Sequence, residues 1–230
     1  MQILGILMFF FSKLGRLSFC NIMQDTLNSL IIQEGTMIDN ELSAAILASG
    51  KSRRFGRQKV FALLAGKPLL QSAIELGQSL SPNLMIIGNE LISKSGFPIV
   101  QYRDLYSNKG PLAGIHSALY HSKSNWTAIL PVDMPFLNLE IYQCLWSFRS
   151  QERPVVAESD TGMEPLVSIW PGQSIKQIER FLKNDQLGIY QCLLDMRADC
   201  INIPGELPAY EEKFFLNINR ETDLLKAGNM

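Results

Sequence analysis

Strand-like and helix-like hydrophobic patterns alternate along the chain from residue 43 onward. Short apolar runs typical of strands occupy residues 43–48, 84–88, 98–101, 126–132, 154–158, 165–170 and 214–217. Apolar residues at helical spacing predict helices over 68–80, 111–121, 139–148 and 175–182, and a last helix from about Glu221; Pro68 and Pro111 would occupy the favoured first helical position. This alternation predicts an α/β fold of three layers, with a Rossmann-like, mainly parallel sheet and helices on both faces.

The first 36 residues do not follow this pattern. The stretch MQILGILMFFFSKLGRLSFC is apolar, but Lys13 and Arg16 interrupt it, so it is too short for a membrane span of about 20 apolar residues. Its positive charges follow the apolar run, whereas a signal peptide carries them in front. We therefore expect residues 1–36 to be a leader or an over-extended start, and residues 37–230 to form a single domain.

Composition and charge argue against several classes of function. The formal net charge of −1 provides no overall field for nucleic acid, so we expect neither nucleic acid nor a membrane as a partner. The two histidines are too few for a histidine-based metal site or triad. The four cysteines lack metal-ligand spacing and C-x-x-C motifs, which predicts a reduced, cytoplasmic protein: Cys20, Cys144, Cys192 and Cys200.

A basic loop, ILASGKSRRFGRQK at residues 46–59, follows the first predicted strand. Ala48, Ser49 and Gly50 are small, so successive backbone N–H groups can surround an anion there. Arg54 and Lys59 could then reach phosphate oxygens. The alternative is a solvated basic loop with no ligand.

The two glycines of this loop exclude two well-known phosphate-binding motifs. A Walker A motif needs lysine directly after its second glycine, whereas Gly56 is followed by Arg57. A G-x-G-x-x-G fingerprint is excluded because Gly50 and Gly56 are six positions apart.

A single acid, Asp133, ends the apolar strand in LPVDMPFL. Burying a carboxylate is costly unless it is paired or bound to a metal. Mg²⁺ takes one or two carboxylates together with phosphate oxygens, so Asp133 is a candidate Mg²⁺ ligand. The alternative is that Asp133 caps the following turn.

The segment NKGPLAGIHSAL, residues 108–119, predicts a turn at Gly110-Pro111 followed by a helix. Gly114 lies inside that helix, where glycine costs about 1 kcal/mol relative to alanine. Either the close approach of a ligand or tight packing of helix on sheet would explain it. Asp104, just upstream, could contact a ribose or base, or cap a turn.

These three pieces map to one edge of the predicted sheet. Ligands of such sheets bind beyond the carboxyl ends of the strands, where both the basic loop and Asp133 would project. The combination suits a nucleoside triphosphate with Mg²⁺.

Over roughly residues 43–225 the sequence resembles the molybdenum cofactor guanylyltransferases. The resemblance is carried by L-A-x-G-x-S-x-R-x-G…K, then G-P-L-A-G, then D-M-P-F, and a late N-x-N before an acidic helix. It implies a fold like that of nucleotide-diphospho-sugar transferases. It also implies Mg²⁺-dependent transfer of GMP from GTP to the phosphate of molybdenum-bound molybdopterin, with release of pyrophosphate. Molybdoenzymes or cofactor chaperones would be further partners.

The resemblance assigns roles to particular residues. Arg54 and Lys59 would bind the triphosphate and, with the Mg²⁺ ligand Asp133, form the catalytic set. Asn89 would contact guanine, and Asp104 would contact GTP. The remaining implied positions are the nucleotide-site residues Leu47, Ala48, Ser49, Gly50 and Gly114, and the acceptor-side residues Asn217, Asn219 and Gly162–Leu166.

The sequence departs from the family pattern in four places: Ser49 replaces a glycine, Phe55 a methionine, Gln58 an aspartate, and Arg220-Glu221 a Thr-Pro pair. The loss of the aspartate removes one acidic partner of Lys59. Three alternatives therefore stay open: transfer from CTP, a sugar-phosphate acceptor, or a non-catalytic molybdopterin-binding protein.

Overall fold

A computed structural model describes residues 41–48, 59–89, 98–149 and 152–228 of the chain. The expected leader at 1–36 lies outside these residues. So do Ser49, Gly50 and Arg54 of the basic loop.

The described strands follow the predicted order closely, with three short additions. They are β1 (Leu42–Leu47), β2 (Leu63–Leu64), β3 (Lys67–Pro68), β4 (Leu84–Ile87), β5 (Val100–Tyr102), β6 (Trp126–Pro131), β7 (Val155–Ser159), β8 (Gly162–Pro171) and β9 (Asp199–Asn202). The described helices are α1 (Leu69–Leu80), α2 (Pro111–His121), α3 (Leu139–Ser147), α4 (Ile175–Lys183), α5 (Ile189–Asp195), α6 (Ile203–Glu206) and α7 (Glu221–Ala227).

Seven of these strands form one mixed sheet in the order β5-β4-β1-β6-β8-β7-β9. The neighbours β5, β4, β1 and β6 run parallel, and so does the pair β7–β9. Strand β8 runs antiparallel to both of its neighbours. The prediction of a mainly parallel sheet is confirmed, and β2 and β3 form a separate antiparallel pair.

Helices cover both faces of the sheet because the central strands are apolar on both sides. All six residues of β1 are buried, and successive side chains point to opposite faces. Ile46 packs into a core with residues of α1 and α3, such as Ile74 and Ile141. Its neighbour Ala45 packs into a second core with residues of α2 and α4, such as Ile115 and Phe181.

Two sequence predictions about this fold are wrong. Residues 214–217 are not a strand, since a 3₁₀ helix spans Glu212–Phe215 and buries Phe214 and Phe215. Their apolar side chains join a core without a strand partner. Pro68 does not begin the first helix: its ψ of 140° is extended, so it belongs to β3 and directly precedes α1. Because proline fixes only φ, its presence does not decide between these two positions.

Candidate active site

The carboxyl ends of β1 and β6 lie side by side, with Leu47 paired to Pro131, and together they form one wall of a cleft. The end of β1, after which the basic loop begins in the sequence, and Asp133, which comes shortly after β6, therefore lie at the same edge of the sheet, as the sequence predicted. The residues that line this cleft are Leu47, Ala48, Lys59, Val60, Pro111, Gly114, Pro131, Val132, Asp133 and Leu166.

Lys59 and Asp133 contact each other directly in this cleft. Lys59 begins a 3₁₀ helix, Lys59–Phe61, and its Nζ donates to Asp133 Oδ2 at 2.8 Å. Both side chains are largely buried, with 15% and 23% of their surface exposed. Partial burial weakens solvent screening, so this pair is stronger than an ion pair on an open surface. The predicted convergence of the two residues is confirmed, while their roles remain predictions.

The C-terminal segment completes this group. Lys59 Nζ also donates to Asn219 Oδ1 at 3.1 Å. The backbone N–H of Ile218 donates to the carbonyl oxygen of Asp133 at 2.8 Å, and Ile218 is fully buried. The late N-x-N segment thus attaches to both partners of the ion pair, while its first residue, Asn217, is exposed.

A second polar pair, Asn89 with Asp104, follows the neighbouring strands β4 and β5. Asn89 Nδ2 donates to Asp104 Oδ2 at 2.8 Å, and the backbone N–H of Asp104 donates to Asn89 Oδ1 at 3.2 Å. Two reciprocal hydrogen bonds fix the relative orientation of the amide and the carboxylate. The sequence assigned both residues to the nucleotide but did not predict this pairing.

Helix α2 begins at the cleft through an unusual backbone conformation. Gly110 precedes the helix with φ of 70° and ψ of −164°, a conformation that side chains disfavour, and Pro111 opens the helix as predicted. The unpaired N–H groups and dipole of a helix N-terminus favour anions. This helix start is therefore a suitable neighbour for a phosphate group.

Gly114 fits both explanations offered by its sequence position. A Cβ atom there would lie 3.2 Å from Leu47 Cδ2 and 3.7 Å from Asp104 Oδ1. The absence of a side chain lets α2 pack closely on β1. It also keeps open the part of the cleft wall between Leu47 and Asp104.

The segment Gly162–Leu166 reaches the cleft through Leu166. Upstream, Glu164 Oε1 accepts hydrogen bonds from Ser159 Oγ at 2.9 Å and Thr161 Oγ1 at 3.3 Å. Burial raises the pKa of the Glu164 carboxyl above its ordinary value, despite these two hydrogen bonds. Its polar contacts are thus made within the β7–β8 turn.

Asp133 is the predicted metal ligand, and it brings a single carboxylate to the cleft. Among the described residues, no three histidine, cysteine, aspartate or glutamate side chains cluster so as to hold one. One carboxylate beside substrate phosphates nevertheless suits Mg²⁺, which keeps several waters. Within the same residues, no helix is long and apolar enough to cross a membrane.

A comparison with known protein families matches residues 44–199 to the MobA-like NTP transferase domain. The chain belongs to this family. It is therefore a nucleotidyltransferase, and the matched residues include Lys59, Asn89, Asp104 and Asp133.

Individual relatives of this MobA-like chain extend the match beyond the domain. A probable molybdenum cofactor guanylyltransferase of Clostridium perfringens (strain 13 / Type A) is 30% identical over an alignment of 184 residues, which covers 77% of this chain and 91% of the relative. A molybdenum cofactor guanylyltransferase of Aliivibrio fischeri (strain MJ11) is 28% identical over 193 residues, 83% of this chain and 97% of the relative.

The fold is shared with a solved structure, that of molybdopterin-guanine dinucleotide biosynthesis protein A from Archaeoglobus fulgidus. The TM-score is 0.68 at 23% identity, covering 81% of this chain and 97% of the other. The predicted fold class is confirmed.

The sequence reasoning missed several residues of the MobA-like site. It did not identify the apolar lining by Val60, Pro131 and Val132, or the attachment of Ile218 to Asp133. The sequence did contain a signal for this lining, since Pro131 and Val132 are the last two residues of the predicted strand 126–132 and directly precede Asp133. The hydrogen bond from Ile218 has no sequence signal, because any residue but proline carries a backbone N–H.

Proposed function

We propose that this protein transfers the GMP group of GTP to the terminal phosphate of molybdenum-bound molybdopterin and releases pyrophosphate. The observation that carries the proposal is the contact of Lys59 with Asp133 in a cleft at the carboxyl edge of the sheet. The guanylyltransferase names of relatives that align over most of the chain support the choice of nucleotide and acceptor.

In this reaction an oxygen of the acceptor phosphate attacks the α-phosphorus of GTP in line. The bond from the α-phosphorus to the bridging oxygen breaks, and pyrophosphate leaves with the electron pair. Since the attacking phosphate is already anionic, the site needs no strong general base. Catalysis then rests on positioning and on neutralising charge, which are the two contributions that the cleft residues suit.

Lys59 is the residue that would neutralise charge on the departing phosphates. Its ammonium group lies in the cleft with α2, whose N-terminal end favours anions. In the structure Asp133 Oδ2 accepts a hydrogen bond from this ammonium group at 2.8 Å. Triphosphate oxygens would take over as acceptors for Lys59, and Arg54 would bind the same triphosphate from the basic loop.

Asp133 would hold Mg²⁺ through its carboxylate. The bound ion would supply charge neutralisation on the phosphate oxygens. The hydrogen bond from the Ile218 N–H to the Asp133 carbonyl fixes the backbone that carries this carboxylate.

The pair of Asn89 and Asp104 would select the base. Guanine presents two adjacent donors, N1–H and the N2 amino group, which a carboxylate can accept together. Cytosine presents one amino donor next to the acceptor N3, which a carboxylate would repel. Asn89 holds Asp104 in orientation through two hydrogen bonds, so we expect GTP to be preferred over CTP.

Pyrophosphate release tests the proposal when GTP and CTP are each combined with molybdopterin or with a sugar 1-phosphate, in the presence of Mg²⁺. We expect pyrophosphate release only in the reaction that combines GTP with molybdopterin, and not in the other three combinations. Release that depends on CTP, or on the sugar phosphate, would replace the proposed nucleotide or acceptor. Calorimetric binding of molybdopterin without any release would overturn the enzymatic assignment.

A further inference from the structure

We propose that Asp223 is a positioning residue that holds Lys59 in the cleft through Asn219. Asp223 lies in the first turn of α7 and is not among the described residues that line the cleft. Its carboxylate instead fixes the backbone whose side chain binds Lys59. The kinetic consequence rests on the proposed function, whereas the positioning of Lys59 does not.

One oxygen of Asp223 binds two consecutive backbone N–H groups. Asp223 Oδ2 accepts from the N–H of Asn219 at 2.8 Å and from the N–H of Arg220 at 2.7 Å. From this fixed backbone, the Asn219 side chain extends its Oδ1 to Lys59 Nζ at 3.1 Å. A single residue, Asn219, thus connects Asp223 to the ammonium group of Lys59 through hydrogen bonds.

Asp223 carries this role without the usual reciprocal partner. In a capping box, a Ser or Thr before the helix accepts from the third helical residue while that residue's side chain reaches back. Arg220 occupies the position before α7, and a guanidinium group has no acceptor. The Asp223 carboxylate accepts from both backbone N–H groups, so its loss removes this side-chain acceptor from the Asn219–Arg220 backbone.

The pKa of the Asp223 carboxyl is lowered by the two backbone hydrogen bonds, from Asn219 first and Arg220 second. Such a shift is what donors to the ionised form produce. It agrees with the short distances in assigning the negative charge of Asp223 to this backbone turn.

Lys59 needs such support because its side chain is long and flexible. Ordering a lysine side chain costs conformational entropy, because several rotatable bonds must be fixed. Asp133 and Asn219 restrain it from positions 74 and 160 residues away in sequence. If Asn219 were displaced, the ammonium group of Lys59 would keep Asp133 but lose Asn219 as a partner. It would then spend more time outside the cleft.

Competitive acylation of lysines, followed by mass spectrometry of the nucleotide-free protein, tests the positioning directly. We expect Asp223→Ala to raise the acylation rate of Lys59, relative to exposed Lys123, about two- to tenfold, the range for losing one hydrogen bond. Asn219→Ala should give a similar increase, and the double variant should add little to either. An unchanged rate in Asp223→Ala, or additive effects in the double variant, would overturn the inference.

Asn138→Ala is the matched control for a general loss of helix stability. Asn138 precedes α3, and its Oδ1 accepts from the Ile141 N–H at 3.1 Å, so its removal also deletes a helix cap. Its loss should leave Lys59 acylation unchanged at comparable stability. Asp223→Asn retains an acceptor oxygen, so the acylation rate of Lys59 should be close to that of the wild type. If the effect of Asp223→Ala came only from misfolding, this variant would not be expected to return the rate to the wild-type value.

Kinetics separate this inference from the proposed function. If Lys59 acts on the departing phosphates, Asp223→Ala should lower kcat severalfold with little change in KM, and should have almost no effect in a Lys59→Ala background. Full activity of Lys59→Ala would refute the proposed role of Lys59 while leaving the acylation result intact. Suppose instead that Lys59→Ala is impaired and that adding Asp223→Ala lowers kcat as much as it does in the wild-type background. That result would refute the inference about Asp223 but not the proposed function.

Discussion

The two polar pairs of the candidate site are assembled in different ways. Lys59 and Asp133 are 74 positions apart, and the third member, Asn219, lies 160 positions from Lys59. Asn89 and Asp104 are only 15 positions apart, at the ends of neighbouring strands. The first group depends on three distant segments, whereas the second is a local feature of the β4 and β5 loops.

The two pairs also differ in charge. An ammonium group compensates the carboxylate of Asp133, whereas the partner of Asp104 in this pair is the neutral amide of Asn89. Under the proposed function this difference corresponds to separate tasks: the first pair would handle the charge of phosphates and metal, and the second would read the donors of a base. It follows that a change at the second pair can alter base preference without loss of the phosphoryl transfer. A change at the first pair is expected to impair the transfer itself.

The largest effect is expected from Asp133→Ala. Loss of the carboxylate would remove both the proposed metal ligand and one partner of Lys59, so kcat for pyrophosphate release should fall by at least about 10²–10³-fold. Lys59→Ala should be impaired to a similar degree. The exposed Asp195→Ala on α5 is the charge-matched control and should retain activity. Near-normal turnover of a folded Asp133→Ala protein would end the assignment of the first pair.

A smaller and different effect is expected from Asp104→Asn. The substituted amide loses one acceptor for the two guanine donors, so the ratio of kcat/KM for GTP over CTP should fall about 10- to 100-fold. Turnover at saturating GTP should change far less. Equal losses with both nucleotides would mean that the second pair does not read the base, and that the division of tasks is wrong.

Gly114→Ala tests the wall beside Asp104. The added methyl would lie 3.2 Å from Leu47 Cδ2 and narrow the cleft, so GTP affinity should fall about tenfold by calorimetry. Gly188→Ala is the control, because a Cβ there meets Gln191 Cβ at an ordinary 3.8 Å. Unchanged affinity would indicate that Gly114 serves only the packing of α2 on β1.

The smallest effect concerns the pH dependence of stability at the support of the first pair. Because the folded-state pKa of Asp223 lies below its ordinary 3.8, its carboxylate stabilises the folded protein above about pH 4. This contribution is lost as the pH falls through the folded pKa. Urea unfolding at pH 7, 5, 4 and 3 should therefore show a small difference between wild type and Asp223→Asn that is the same at pH 7 and 5 and becomes smaller as the pH falls below about 4. A difference independent of pH would contradict this linkage.

The sequence predicted best the elements whose patterns have clear ends. Strand β6 is fully buried and followed by Asp133, and helix α2 begins at Pro111 as its turn signal indicated. Strand β9 was missed because only Ile201 of its four residues is buried, so it carries no alternation. For residues 214–217 the error was the opposite, since a strand was predicted where none forms. An apolar run does not reveal whether a neighbouring strand is available for pairing.

The site was predictable to the extent that its residues lie in segments that follow the carboxyl ends of strands. Lys59 and Asp133 could be placed together because parallel strands share a carboxyl edge. The contact of Lys59 with Asn219 could not, since it depends on how the last segment returns to the sheet. Ile218 fixes that return by packing with Ala62, Leu69 and Ala227 in a small cluster of its own.

The separation of Lys59 and Asn219 has a consequence for biosynthesis. A ribosome that has made Lys59 must add 160 more residues before the amide that restrains it exists. The β1–β6 pairing can form earlier, because all of its strands are made by residue 131. A nascent chain can therefore pair β1 with β6 and bring Asp133 to Lys59 while Asn219, the second partner described for Lys59, has not yet been made.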